Sequence, residues 1–270
     1  MTYYINDLEL TNVHVTRRRS DDRWAIFKKP SVTKPYVEQV GQSTSDIAFD
    51  IDFIGSSRYN MYTSLRAEIA YCERVLLNTH PTGDYLYGNN RHLWIACDTL
   101  TINERAGPII KVTISGLIDP YQIVTCDFLR GWGNSSGVTL SEDSAFYGKH
   151  SVKANVASPT ATTEYYAEFT LPAERDCTAD NYISLWIRSD RVAAAYTWSR
   201  FYLMTDDSNY YYWDITSYPA DKWTHSDLDI TSANGSVGSP DLTSISKVRV
   251  VNKAEDTTAF YIMIDNIRAH

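Results

Sequence analysis

The sequence predicts a mainly β protein of two domains: a β-sandwich carrying one packed α-helix, then a second β-sandwich of jelly-roll type. Three observations predict it. Residues 46–53 alternate strictly between apolar and polar side chains. One stretch only, about 58–78, shows a helical apolar period. Beyond residue 122 there are nine short strand candidates separated by turn signals, and no convincing helix.

The elements follow in order. In Asp46-Ile47-Ala48-Phe49-Asp50-Ile51-Asp52-Phe53, Ile47, Phe49, Ile51 and Phe53 share one face, and Asp50 and Asp52 share the other. That is the pattern of a half-buried antiparallel strand. Gly55-Ser56-Ser57 stops the strand and offers a capping hydroxyl. Met61, Leu65, Ile69, Cys72 and Leu76 then make one apolar stripe along a helix that His80-Pro81-Thr82-Gly83 ends. Tyr85-Leu86-Tyr87, a turn at Gly88-Asn89-Asn90 and Leu93–Cys97 read as a strand pair. Two more strands flank Ala106-Gly107-Pro108, the second of them spanning 111–117.

Composition changes near Asp119-Pro120-Tyr121, so the domains are 1–121 and 122–270. The second is rich in Ser, Thr, Asp and Tyr and holds five of the seven tryptophans. Its strand candidates are 138–140, 150–156, 164–171, 181–188, 197–204, 210–215, 225–230, 245–251 and 259–268. Turn signals stand at Tyr147-Gly148, Ser158-Pro159, Asp206-Asp207, Pro219-Ala220-Asp221, Asn234-Gly235 and Glu255-Asp256. Spacing of this kind indicates a β-sandwich.

Charge and motifs exclude several classes. The net charge of −8 opposes a dedicated nucleic-acid binder. Residues 1–121 carry 13 basic against 14 acidic side chains, so most of the excess acid lies in the second half. No run of 18 apolar residues is present, so no membrane span is expected, and no signal peptide is visible. Cys72, Cys97, Cys126 and Cys177 have no metal spacing and read as separate thiols. The six histidines sit in unrelated segments, and no nucleophile elbow, zinc-protease motif or phosphate loop occurs. The chain is therefore read as a non-enzyme.

Residues 126–270 resemble the jelly-roll carbohydrate-binding modules. The resemblance is carried by Cys126-Asp127-Phe128 with Gly131-Trp132, by Ser144–Lys153, and by Tyr182–Arg188. It continues through Asp221-Lys222-Trp223-Thr224 and the closing Phe260–Ile267. It implies a glycan-binding surface. Trp186 and Arg188 share one face of their strand, as do Trp198, Arg200 and Tyr202 of the next, and Tyr212 follows. Rings that stack on sugar C–H faces, set beside planar polar groups, suit a glycan, although packing of a second face explains the same pattern. The resemblance also implies a structural calcium ion, with Asp265 on the closing strand and Asp127 or Glu142 from the opening region.

Residues 1–121 resemble the tube-forming domain of tailed-phage distal tail and baseplate proteins. The likeness runs from Gln39-Val40-Gly41 through the acidic strand to Phe53-Ile54-Gly55, the helix and the strands at 92–117. It implies a homo-oligomeric, six-copy ring in the virion tail, in contact with other tail and baseplate proteins. DNA would pass through only transiently, Asp50 and Asp52 would line the channel, and the outward jelly roll would meet a host surface glycan. Three alternatives stay open: a major tail-tube protein with a decoration domain, a free carbohydrate-binding accessory module, and a glycoside hydrolase or lyase. The basic cluster Arg17-Arg18-Arg19, Arg23 and Lys28-Lys29 forms either an arm on a neighbouring copy or a solvated hairpin.

Overall fold

A computed structural model describes residues 3–5, 8–10, 13–20, 45–54, 56–71, 75–79, 92–106, 109–118 and 121–270. The chain divides into two compact units, Met1–Pro120 and Tyr121–His270.

In the first unit the described strands are β1 (Tyr3–Ile5), β2 (Leu8–Leu10), β3 (Val13–Ser20), β4 (Ser45–Ile54), β5 (Val75–Thr79), β6 (His92–Ala106) and β7 (Ile109–Ile118). They form one sheet in the order β2-β1-β5-β6-β7-β4-β3, antiparallel throughout. The two edge strands, β2 and β3, are consecutive in the chain. A flat sheet of seven strands would set its edges roughly 29 Å apart. Leu10 and Val13, three residues apart, are separated by no more than about 11 Å. The sheet therefore bends enough to bring the edge-strand ends at Leu10 and Val13 together, while β3 pairs on one side only among the described residues.

At the described side chains of β4 the alternation is realised: Ile51 and Phe53 are fully buried and Asp52 is half-exposed on the other face. Helix α1 (Arg58–Tyr71) lies on the buried face, with Tyr62 edge-on to Phe53 at 6.5 Å and Leu65 fully buried beside Ile110, Val112 and Ile114. The Ser57 carbonyl accepts the first helical hydrogen bond from Met61 N–H at 3.1 Å. The helix is shorter than its sequence stripe. Leu76 belongs to β5, where Val75-Leu76-Leu77 pairs with Ile95, Trp94 and Leu93 of β6. An apolar run holding a β-branched residue finds a better partner in an open sheet edge than in another helical turn. The expected helix stop at 80–83, the strand at 85–87, the turn at 88–90 and the basic stretch beyond Ser20 lie outside the described residues. No described helix is long and apolar enough to cross a membrane.

The second unit is a sandwich of two six-stranded sheets. Sheet I contains β8 (Gln122–Val124), β10 (Val138–Ser144), β11 (His150–Val156), β13 (Tyr182–Ser189), β16 (Thr224–Asp229) and β19 (Phe260–Ala269). Its order is β10-β11-β19-β13-β16, with β8 also paired to β19. Sheet II contains β9 (Trp132–Asn134), β12 (Glu164–Arg175), β14 (Tyr196–Asp206), β15 (Asn209–Asp214), β17 (Gly235–Val237) and β18 (Ile245–Ala254), in the order β17-β15-β14-β18-β12-β9. The three strands absent from the sequence reading, β8, β9 and β17, have three residues each, too few to show a period.

The core lies between the sheets. Sheet I contributes Val152, Ala154, Ile183, Leu185, Ile187, Phe260, Ile262 and Ile264, and sheet II contributes Phe169, Phe201, Leu203, Val248 and Val250, all at most 3 % exposed. Burial here on the order of 25 cal/mol per Å² is what drives the two faces together. Two polar networks inside are paired. Asn252 accepts from the Ser199 hydroxyl at 2.8 Å and donates to the Tyr218 oxygen at 3.1 Å. The Ser189 hydroxyl bonds the Tyr196 hydroxyl and the Tyr261 carbonyl, both at 2.8 Å.

Candidate glycan-binding face

The outer face of sheet II follows from strand register. Because side chains alternate, Phe201 and Leu203 point inward, which sends Arg200, Tyr202 and Met204 outward. Antiparallel pairing aligns rows across the sheet. One row is Asp214, Arg200, Val251 and Tyr166; the next is Tyr212, Tyr202, Arg249 and Glu168. Trp198 faces Lys253 at the end of its strand.

These residues touch. The Arg200 guanidinium lies 4.3 Å from the ring centre of Trp198 and 4.3 Å from that of Tyr212, so it is clamped between two rings. Its Nε donates to Asp214 at 2.6 Å. Burial works against the charge of Arg200, but the hydrogen bond and charge of Asp214 outweigh it and raise the guanidinium above its ordinary pKa. Tyr202 stacks flat on Tyr210 at 4.8 Å and meets Tyr212 at 6.2 Å. Arg249 covers Tyr166 at 4.2 Å and bonds Glu168. The Tyr202 hydroxyl is pushed up to about 12, first by burial and then by the Glu164 carboxylate. It stays a neutral hydrogen-bonding group at any physiological pH.

Charges on this face nearly balance. Arg200, Lys247, Arg249 and Lys253 stand against Glu164, Glu168, Asp206, Asp207 and Asp214. Lys247 bridges Glu168 at 3.4 Å and Asp207 at 2.9 Å, and Arg249 reaches Asp207 at 3.1 Å.

The single surface expected for Trp186, Arg188, Trp198, Arg200, Tyr202 and Tyr212 is corrected. Trp198, Arg200, Tyr202 and Tyr212 do gather on sheet II. Trp186 and Arg188 sit on β13, in sheet I, and face outward on the opposite side of the sandwich. The chain changes sheet between β13 and β14, through the short turn at Ala193–Ala195. Tyr202 is only 6 % exposed, so it forms the floor beneath Tyr210 and Tyr212 rather than a contact surface. Tyr166, Tyr210, Lys253 and Glu164 complete the face, and sequence reading had not assigned them to it. Alternation in β12, with Tyr165 inward and Tyr166 outward, was the signal available.

Asp127 and Asp265 do converge, on the loop 145–150. One Asp265 oxygen accepts the backbone N–H groups of Phe146 and Tyr147, both at 2.8 Å. One Asp127 oxygen accepts those of Lys149 and His150, at 2.5 and 2.9 Å. Both carboxylates are at most 3 % exposed and lie close enough to Cys126 that, after burial itself, they push its thiol up. Gly148, at φ +72, passes so close to Asp127 that a Cβ there would fall 2.5 Å from a carboxylate oxygen. Two buried hard-oxygen donors fit calcium in kind. No third His, Cys, Asp or Glu joins them among the described residues, so the remaining ligands would be neutral oxygens, carbonyls or water. Glu142 instead lies 3.5 Å from His150.

Of the two expected channel residues, Asp52 is half-exposed and in register with Lys111, while the side chain of Asp50 lies outside the described residues.

No family model matches the chain, and no curated protein matches it. Solved structures do. A family 11 carbohydrate-binding module from Clostridium thermocellum, in complex with a β-1,3-1,4-mixed-linked tetrasaccharide, is 16 % identical, with 55 % of this chain and 94 % of that one covered and a TM-score of 0.42. A family 30 module of a cellulosomal cellulase of the same organism is 15 % identical over 56 % of this chain and 96 % of its own, with a TM-score of 0.41. An exo-β-agarase is 12 % identical, with 55 % of this chain and 25 % of that one covered and a TM-score of 0.43.

Proposed function

We propose that the second unit is a non-enzymatic glycan-binding domain that holds a saccharide chain along the outer face of sheet II. The observation that carries this reading is the clamp of Arg200 between Trp198 and Tyr212 on an outward, partly exposed sheet face. Half-exposed rings offer apolar platforms to sugar C–H faces, and the Arg200–Asp214 pair, with Lys253 and Glu164 in register on the neighbouring strands, offers polar partners to hydroxyls. The balance of charge favours an uncharged polymer over an anionic one. Each single contact is weak, and several copies held together would raise avidity.

Affinity electrophoresis of the full chain tests this reading, in gels containing mixed-linkage β-glucan, agarose or a bacterial envelope polysaccharide. Retardation is expected in at least one gel and is weakened in Trp198→Ala and Tyr212→Ala. Equal mobility of all three proteins in every gel overturns it. A calcium ion held by Asp127 and Asp265 would tie the closing strand to the loop 145–150 and stabilise the sandwich without touching the sugar.

A second reading is favoured by one feature of the first unit. Strand β3 is eight residues long and pairs only with β4 among the described residues. Such an edge invites another chain. A virion tail ring of identical copies, at the tube or baseplate, would use it. Light scattering tests this reading. A discrete oligomer supports it, and a monomer at high concentration counts against it.

A further inference from the structure

The residues left over from the sheet II face form a cluster of their own on sheet I. Phe146 lies flat on Trp186, with ring centres 3.7 Å apart and planes 19° apart, yet it is 43 % exposed. Tyr147 meets both rings edge-on, at 4.8 and 5.8 Å. His225 closes on Trp186 at 4.9 Å, and Trp223 approaches Phe146 at 6.3 Å. A lone exposed phenylalanine is ordinary, but a five-ring cluster with its outermost ring facing water is not.

Polar groups border these rings, and one is loosely held. Arg188 comes no nearer than 3.9 Å to Asp221, and its Nε makes no hydrogen bond. Asp221 accepts instead from the Tyr261 hydroxyl at 2.7 Å. On sheet II, by contrast, Arg200 is locked at 2.6 Å. The Arg188 Nε is shut off from solvent, so the terminal guanidinium nitrogens, on a side chain 28 % exposed, are the donors left to a ligand. On the same strand face as Trp186 and its stacked Phe146, they complement a pyranose, which presents a C–H face and adjacent hydroxyls.

We infer that Phe146, stacked on Trp186 and bordered by Arg188 and Asp221, is a second saccharide contact, separate from the face on sheet II. The inference rests on the glycan-binding reading of this domain. Because the two sheets present their outer faces in opposite directions, one domain would then hold two polysaccharide segments and bridge them.

The test uses the full chain labelled with ¹⁵N-tryptophan, titrated with two probes: a mixed-linkage β-glucan tetrasaccharide and an agarose tetrasaccharide. The indole signals of Trp186 and Trp198 are assigned by single replacement with Phe. Both signals are expected to move. Phe146→Ala removes the Trp186 response and leaves that of Trp198. Arg188→Gln, which spares the rings and so the loop, weakens the Trp186 response about threefold to tenfold. In Trp198→Ala the Trp186 response persists. Movement of Trp198 alone overturns the second contact and leaves the sheet II reading standing. Movement of neither overturns both. A Trp186 response unchanged in both Phe146→Ala and Arg188→Gln also overturns the inference.

Discussion

Gly235 gives a test of the sheet II face that removes none of its side chains. Gly235 pairs with Tyr212 across β17 and β15, and a Cβ added there would collide with the Tyr212 oxygen and lie 2.6 Å from Cζ and 2.8 Å from Cε1. Three atoms of one side chain stand in the way, so Gly235→Ala forces the ring aside or lifts the short edge strand. A displaced ring leaves its rotamer, at about 0.5–1.5 kcal/mol. It also abandons Arg200, at about 0.5–1 kcal/mol. The expected loss is about 1–2.5 kcal/mol, on the order of 2–10 °C in the melting temperature of a unit this size. Glycan affinity is expected to fall about threefold to tenfold as the clamp on Arg200 opens. Gly133→Ala is the control: it lies on the opposite edge strand of the same sheet, and an added Cβ meets nothing within 4 Å. Melting followed by near-ultraviolet circular dichroism, together with affinity electrophoresis, reads both variants. Indistinguishable behaviour of the two refutes the reasoning.

Asn252→Ala leaves the buried hydroxyls of Ser199 and Tyr218 without their shared partner and is expected to cost about 2–4 kcal/mol, read by urea unfolding; a loss under about 0.5 kcal/mol would show that the network is not structural. Hydrogen bonds to Lys153 and Lys247 hold the carboxyls of Asp143 and Asp207 below the usual range. Their stabilisation is full above the unfolded value of about 3.9 and is lost as pH falls through the lower folded values, so the melting temperature should drop below about pH 4, and a flat profile from pH 5 to 3 would contradict this. Burial pushes Cys177 up to about 11 and raises Cys126 well above its ordinary value. With Cys72 and Cys97 replaced by Ser, the native chain should resist a disulfide reagent at pH 8 and react in urea; fast native labelling would contradict the burial. Calcium at the paired carboxylates predicts a melting temperature that EDTA lowers and calcium restores, with no response in Asp265→Asn; equal melting with and without EDTA refutes the ion.

Much of the second unit was legible because its strands alternate. Leu185 and Ile187 inward with Trp186 and Arg188 outward is a statement about one strand, and it holds. Sheet membership was not legible. Periodicity says which side chains share a face of a strand, but it cannot say which strands share a sheet, and β13 and β14 part company at a three-residue turn. The same limit hid the stack of Phe146 on Trp186, since residues 40 apart in sequence meet only through the fold. Asp127 and Asp265 were found together because the resemblance supplied a long-range pairing that spacing does not contain. The helix in the first unit was placed correctly at its start and overrun at its end. An i, i+4 stripe and a short apolar strand look alike until a partner strand, here β6, takes the latter.

The most direct measurement is the position of a bound oligosaccharide in a crystal of the complex, obtained with whichever polysaccharide retards the protein. Sugar rings are expected over Trp198 and Tyr212, with hydroxyls within hydrogen-bond reach of Arg200 or Lys253. Sugar found only elsewhere on the chain, with the sheet II face bare, would contradict it.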